Sequence, residues 1–345
     1  MKRIAVWNTA FLGDAVLTLP LLQSLRLRYP EAVLDYYVRG GLVSLFSSHP
    51  AISSVYAYDK RGGEKGLSAF FRLGRELAGR NYDLWISAHG SLRSSLLALA
   101  SRAPMRIGYR QAVLGRLCCT HLVDREFSRV DEIDRLLRLL HPLGPGPQSD
   151  WPEIPLGQPE RREAEHFFAG LAGPALGLHP GSVWATKRWP EAYFAEIGRR
   201  ALRLGAEVLL FAGPGEEAIA RAVRGRILEG MGDADHTRLH DLSGRLSLPL
   251  LAAYISLLAC YVTNDSGPMH IAWAQRVPIA AIFGPTVRSL GFFPRGPDAS
   301  VFETSLDCRP CGLHGPIVCP RKHHHCMTLV TPDAVWDDVR AKLLL

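Results

Sequence analysis

The sequence predicts an α/β fold made of two successive parallel-sheet halves. Three observations carry this. Apolar strand-like runs alternate with helix-length amphipathic segments, which calls for a parallel sheet covered on both faces. The alternation stops in a stretch crowded with Pro and Gly over residues 142–159 and then restarts. The chain's 345 residues are too many for one ordinary core and fit two domains of about 150–200 residues each.

In the first half, Lys2 to Trp7 reads as a buried strand and Asn8 to Gly13 as a loop. A helix follows from Asp14 or Ala15 to Arg28, stopped by Pro30. Strands are expected at 34–39, 55–58 and 83–87, with helices at 43–48, 67–80 and 91–101 and a polar loop at 59–66. In the second half a helix at 160–171 leads into strand 175–179, helix 190–204, strand 207–212, helix 216–229 and helix 248–258. A strand at 278–283 ends in Gly284-Pro285-Thr286, and the amphipathic tail 332–345 is helical.

Residues 257–275 organise the second half. Leu257 to Thr263 is apolar or β-branched and suits a short buried strand. Asn264, Asp265 and Ser266 are turn and N-cap residues, and Gly267-Pro268 falls where a helix's first turn tolerates proline. Such a strand, turn and helix place unpaired N–H groups at the carboxyl end of a sheet, where they can hold a phosphate. With Ser266 as the cap, His270 shares its helix face.

Other strand ends carry chemistry of the same kind. Gly13-Asp14 leaves the first strand; Asp14 is a good N-cap, and it is also a general base if it reaches the hydroxyl it deprotonates. His179 to Pro190 combines a Gly181-Ser182 loop with Lys187-Arg188 ahead of a helix, small residues and a cation that suit a phosphate, or a solvated basic loop anchored by Trp189. Glu216 and Glu217 follow Gly213-Pro214-Gly215, where an acid can hold a ribose diol or merely cap a helix. Arg93, Arg102, Arg106, Arg110 and Arg116 lie in 90–123, a stretch without Asp or Glu. This is a solvated face, or what an anionic acceptor needs.

Composition narrows the class. With 47% hydrophobic and 21% charged residues the chain is ordinary globular material, and its net charge of +7 fits an anionic partner without demanding nucleic acid. No signal peptide is visible and no run approaches the ~20 apolar residues of a membrane span, so a cytosolic chain with reduced cysteines is expected. Two motifs are set aside. Asp233-Ala234-Asp235 has a metal-binding form but reads as a solvated loop, and Gly62 to Gly66 lacks the phosphate-loop spacing. Cys308, Cys311, Cys319 and Cys326, with His314, His323, His324 and His325 among them, leave two readings open: a structural metal, or reduced thiols at spacings that fit no common zinc finger.

Gly13-Asp14-Ala15, Lys187-Arg188-Trp189-Pro190, Thr263-Asn264-Asp265-Ser266-Gly267-Pro268-Met269-His270 and Gly284-Pro285-Thr286 occur in this order across nearly the whole chain. Together they resemble the ADP-heptose:lipopolysaccharide heptosyltransferases of glycosyltransferase family 9, in particular the heptosyltransferase II type. The resemblance implies a GT-B fold, two Rossmann-like domains facing each other across a cleft: an acceptor-binding domain over 1–159, a nucleotide-sugar domain over 160–330, and a C-terminal helix over 331–345 free to pack back toward the first domain. It implies inverting, metal-independent transfer of heptose from ADP-heptose, with no cofactor, to a lipid A or inner-core acceptor at the cytoplasmic membrane surface. By motif position, Asp14 resembles the base and Lys187 the cation on the diphosphate. Ser182, Asp265, Ser266, Gly267 and His270 resemble the donor site, and Glu216 or Glu217 the ribose acid. Arg93, Arg106 and Arg110 are the acceptor candidates. Asp265 is expected to cap the turn or bind sugar hydroxyls, since it would repel a diphosphate. A transferase of another nucleotide sugar and a sugar-nucleotide 2-epimerase are the alternatives.

Overall fold

The computed structural model describes residues 1–59, 66–126 and 130–344. The chain divides into two compact units, Met1–Pro155 and Leu156–Leu345, so the division falls shortly before the expected boundary.

The first unit contains a parallel sheet of β1 (Arg3–Trp7), β2 (Val33–Arg39), β3 (Ser54–Tyr58), β4 (Leu84–Ser87), β5 (Met105–Tyr109) and β6 (His121–Val123), ordered β3-β2-β1-β4-β5-β6. The second contains β7 (Ala175–His179), β8 (Glu207–Leu210), β9 (Leu239–Asp241), β10 (Cys260–Asn264), β11 (Ile279–Phe283) and β12 (Ala299–Glu303), ordered β12-β11-β10-β7-β8-β9. Each unit therefore repeats the Rossmann order. Winding reverses between β1 and β4 in one and between β7 and β10 in the other, and the loops leaving those paired strands diverge to leave a crevice.

The central strands β7, β10 and β11 are buried along their whole length, as apolar runs covered on both faces must be. In the first unit Trp7, Tyr37, Tyr58 and Trp85 fill the space beneath the strand ends, with the Trp7 and Tyr58 rings 4.8 Å apart between centroids.

Several expected elements shift. The helix expected from Asp14 to Arg28 is two, Leu12–Leu17 and Leu19–Arg28, broken at Thr18 because Pro20 lacks the N–H that would continue it. Strands β5, β6, β9 and β12 went unread; they lie toward the sheet edges, are only partly buried, and include Arg106, His121 and His240. The C-terminal helix Pro332–Leu343 packs within its own unit, with Val335, Val339 and Leu343 in the core beside the helix Glu191–Arg203 and strands β10 and β11. Asp233–His236 is a short helix in which Asp235 pairs with Arg238. The set-aside Gly62–Gly66 segment lies outside the described residues except for Gly66, which starts the helix Gly66–Gly79.

Candidate functional site

In the second unit the site is built where β7 and β10 end side by side. Asn264, expected in a turn, is instead the buried last residue of β10. Its Oδ1 accepts the Trp189 N–H at 2.9 Å, and its Nδ2 donates to the carbonyls of Pro180 at 2.9 Å and Gly181 at 3.2 Å. One amide thus fixes both ends of the loop that leaves β7 and carries Ser182 and Lys187.

Asp265 follows. Its Oδ2 accepts from Lys187 Nζ at 2.5 Å and from Thr286 Oγ1 at 2.6 Å. All three residues are buried. Asp265 therefore neither caps the helix nor stands open to sugar hydroxyls; it is the buried counter-ion of Lys187. Burial pushes its carboxyl up, but the Lys187 ammonium and the Thr286 hydroxyl outweigh this and hold it below the usual carboxylate range. Lys187, the cation expected on the diphosphate, is half of an ion pair.

The helix Gly267–Ala274 has Ser266 as its N-cap, but the serine hydroxyl makes no capping bond. It lies 3.5 Å from Thr263 Oγ1. Pro268 removes one N–H from the first turn, and those of Gly267 and Met269 remain at a helix end, where the dipole favours an anion. His270 is buried close enough to Asp265 and Lys187 to feel both charges, and its Nδ1 has no hydrogen-bond partner. Burial drives its pKa down to about 4, against the opposing pull of Asp265, so the ring is neutral at pH 7. Lys187 and His270 thus share one side of their unit.

Glu216 and Glu217 separate. The Glu216 carboxylate accepts from the Gly213 N–H at 3.4 Å and lies 3.6 Å from His179 Nε2. It presses on Gly181 so closely that any Cβ there would collide with it. Burial raises the Glu216 carboxyl, but His179, the Gly213 N–H and the Arg188 charge together hold it below the usual carboxylate range. The Tyr261 hydroxyl meets His179 Nδ1 at 2.8 Å. Glu217 turns instead to the Gly215 N–H at 2.9 Å. Of the two acids, Glu216 is the one beside the Ser182 loop. Ser182 is buried, and its carbonyl accepts from Arg188 Nε at 2.8 Å.

The cysteine-bearing segment braces this site. The Arg309 guanidinium donates to the carbonyls of Phe283, Gly284, Thr286 and Thr304. His324 Nε2 meets the Thr186 carbonyl at 2.7 Å, Thr186 Oγ1 donates to Pro316, and the His314 ring stacks on Trp184. Cys308, Cys311, Cys319 and Cys326 are all free thiols, and among the described residues no group of three or more His, Cys, Asp and Glu stands ready to hold a metal.

In the first unit, Asp14 follows β1 at the equivalent crevice. It is the third residue of the helix Leu12–Leu17 and not its cap; Oδ2 reaches back to the Phe11 N–H at 3.2 Å. Asn8 Nδ2 and Thr18 Oγ1 both donate to the Asp14 carbonyl, at 3.3 and 2.7 Å, so its backbone is held from two directions. The three acceptor arginines do not converge. Arg93 donates to the Tyr58 hydroxyl at 2.8 Å, and Arg110, just past β5, pairs with Asp124 at 2.9 Å. Arg106 lies near the opposite end of β5, its guanidinium committed to the carbonyls of Cys118 and Ala103. Arg106 is part of the scaffold there.

Residues 70–312 match the model of glycosyltransferase family 9 (heptosyltransferase). The chain belongs to glycosyltransferase family 9. It is 25% identical over 295 residues to lipopolysaccharide heptosyltransferase 2 of Escherichia coli K12, covering 82% of this chain and 83% of that one. The crystal structure of the family 9 glycosyl transferase from Veillonella parvula DSM 2008 superposes with a TM-score of 0.85 at 26% identity, covering 99% and 97% of the two chains. That of Escherichia coli ADP-heptose lps heptosyltransferase II gives 0.80 at 24%, covering 100% and 99%. This family 9 chain is thus a glycosyltransferase of the GT-B class, as the motifs implied.

Sequence reasoning named the Asn264 and Thr286 motifs but gave Asn264 only a place in a turn and Thr286 no role. It gave no role to Asn8, Tyr261 or Arg309; the Tyr261 partner, His179, is 82 residues away in the chain. The buried histidines of this glycosyltransferase give it a testable acid sensitivity. His49, facing the Glu153 carbonyl, is also driven by burial to about 4. For each, the folded pKa lies below the unfolded value, so the unfolded chain binds more protons across that window and stability falls as pH drops through it. From pH 7 to 5 the expected loss is about 2 kcal/mol per histidine. Urea unfolding should show it, with a shallower slope in His270→Gln; equal slopes would refute the assignment.

Proposed function

We propose that this glycosyltransferase moves heptose from ADP-heptose onto the inner core of lipopolysaccharide, by metal-independent single displacement with inversion. The observation that carries the reading is the buried Lys187–Asp265–Thr286 cluster beneath an uncapped helix start, at the β7–β10 switch point of a family 9 chain. The relatives' names supply the sugar and the acceptor: lipopolysaccharide heptosyltransferase 2 and ADP-heptose lps heptosyltransferase II.

In this reading the acceptor oxygen attacks the anomeric carbon while the bond from that carbon to the phosphate oxygen breaks. Asp14 takes the hydroxyl proton and ADP leaves with the electron pair. Attack opposite the leaving group inverts the carbon. Lys187 and the amides of Gly267 and Met269 receive the departing diphosphate. In a desolvated pocket fixed donors stabilise charge far better than water-exposed ones. Asp265 answers the like-charge objection by holding the lysine ammonium in place. A neutral His270 can donate one hydrogen bond without adding charge. Glu216, steadied by His179, is the acid for the ribose, and Ser182 lies on the adjoining loop. Arg93 and Arg110 remain candidates for an anionic acceptor.

Metal independence is supported by the departing charge having protein donors, and by Asp235 being spent on Arg238. Among the described residues no helix is long and apolar enough to cross a membrane; the acceptor is taken from the cytoplasmic membrane face. Purified protein given ADP-heptose and a Kdo- or heptose-bearing lipid A should release ADP at the same rate with and without EDTA. Absence of ADP with every such acceptor would overturn the reading, and loss of activity in EDTA would overturn its metal-independent part.

A further inference from the structure

The helices Gly66–Gly79 and Leu92–Ala100 pack side by side in the first unit. They come close where Gly74 faces Ala100: a Cβ on Gly74 would stand 3.2 Å from that of Ala100. Between them runs an open groove of about 600 Å³, lined on one side by Phe70 and Phe71 and on the other by Leu96 and Leu99, with Arg75 and Arg102 also lining it. Leu67 and Phe71, one turn apart, are 75% and 62% exposed, and Leu92 and Leu99, two turns apart, are each 47% exposed. Two apolar stripes thus face solvent beside a groove. On a lone soluble surface such a strip is unusual, and it marks a contact face.

The charge around it says what kind. Arg72, Arg75 and Arg102 are exposed, and among the described residues Arg75 and Arg102 make no ion pair. Glu76 on the same helix is already paired with Arg80 at 2.6 Å. Residues 90–123 contain five arginines and no acid. The next helical turn, Gly115–Cys118, extends the pattern with exposed Arg116 beside Leu117, which is 75% exposed. Exposed Leu and Phe flanked by guanidinium groups match an anionic bilayer: apolar side chains enter below the headgroups while the arginines meet lipid phosphates.

We infer that the Gly66–Gly79 and Leu92–Ala100 face docks this transferase on an anionic phospholipid bilayer, an inference that rests on the proposed lipid-linked acceptor. The purified full chain should sediment with vesicles containing phosphatidylglycerol and not with vesicles of phosphatidylcholine alone. The Arg75→Glu/Arg102→Glu pair should bind the anionic vesicles about thirtyfold more weakly. Independently, Phe71→Asp should weaken binding about tenfold. All variants should release ADP at the unaltered rate from a lipid-free acceptor saccharide, which also shows that they fold. Undiminished vesicle binding by both variants, or equal binding to both vesicle types, would overturn the docking face. So would failure of the unaltered chain to bind vesicles, including the case where this face captures only an acidic protein. The two readings fail separately: ADP release from lipid A acceptor without vesicle binding sinks only the docking, and vesicle binding without ADP release sinks only the heptosyl transfer.

Discussion

Asp14→Asn should bind the nucleotide sugar as tightly as the unaltered chain and release ADP between about 10² and 10⁴ times more slowly. The substitution is nearly isosteric. An amide oxygen can still accept the Phe11 N–H that Asp14 Oδ2 accepts at 3.2 Å, and the Asn8 and Thr18 bonds reach the Asp14 carbonyl, which the change leaves alone. What disappears is the lone pair able to take a proton from the attacking hydroxyl. Calorimetric titration with donor should therefore match the unaltered chain while single-turnover ADP release collapses. Asp14→Ala serves as the contrast, since it also deletes the Phe11 contact and should cost stability as well as turnover. Retained turnover in Asp14→Asn would remove this residue from the chemistry.

Asp265→Asn should cost about 3–5 kcal/mol of stability at pH 7, because it strands the Lys187 ammonium in a buried site. Lys187→Met should do comparable harm from the other side, leaving a buried carboxylate with only Thr286. Changing both together should cost less than the sum, which a double-mutant cycle of urea unfolding measures. The pH dependence has a fixed sign. The folded Asp265 carboxyl titrates below its unfolded value, so the pair's contribution is complete above the unfolded carboxylate pKa of about 3.9 and drains away as pH falls through the lower, folded one. The gap between the unaltered chain and Asp265→Asn should hold constant at neutral pH and narrow only in strong acid. Additive losses, or a gap that closes near pH 6, would show that the pair does not act as a unit.

Much of this site could be read from the chain because fully buried parallel strands announce themselves as apolar runs. The ends of β7, β10 and β11 therefore located the Ser182 loop, the Asp265 turn and Thr286 before any coordinates. The strands that escaped notice, β5, β6, β9 and β12, are only partly buried and lie toward the outside of their sheets, where burial no longer dictates composition; Arg106 sits within one of them and looked like part of a charged surface. Roles that depend on partners distant in sequence were invisible. Lys187 and Asp265 are 78 residues apart, and no spacing rule says that each neutralises the other. Local backbone geometry likewise moved Asp14 from a capping position to the third residue of its helix, since Phe11, with no polar side-chain atom, occupies the cap.

The three hydrogen bonds of the Asn264 amide have a kinetic consequence. They suture the Lys187-bearing segment to a strand in the middle of a sheet, so that segment cannot swing as a lid without unpicking a buried polar group. If the proposed diphosphate site is right, its receptor is preorganised when the protein folds, and little of the donor's binding energy is diverted into reshaping it. Any slow gating of turnover must arise elsewhere in the molecule.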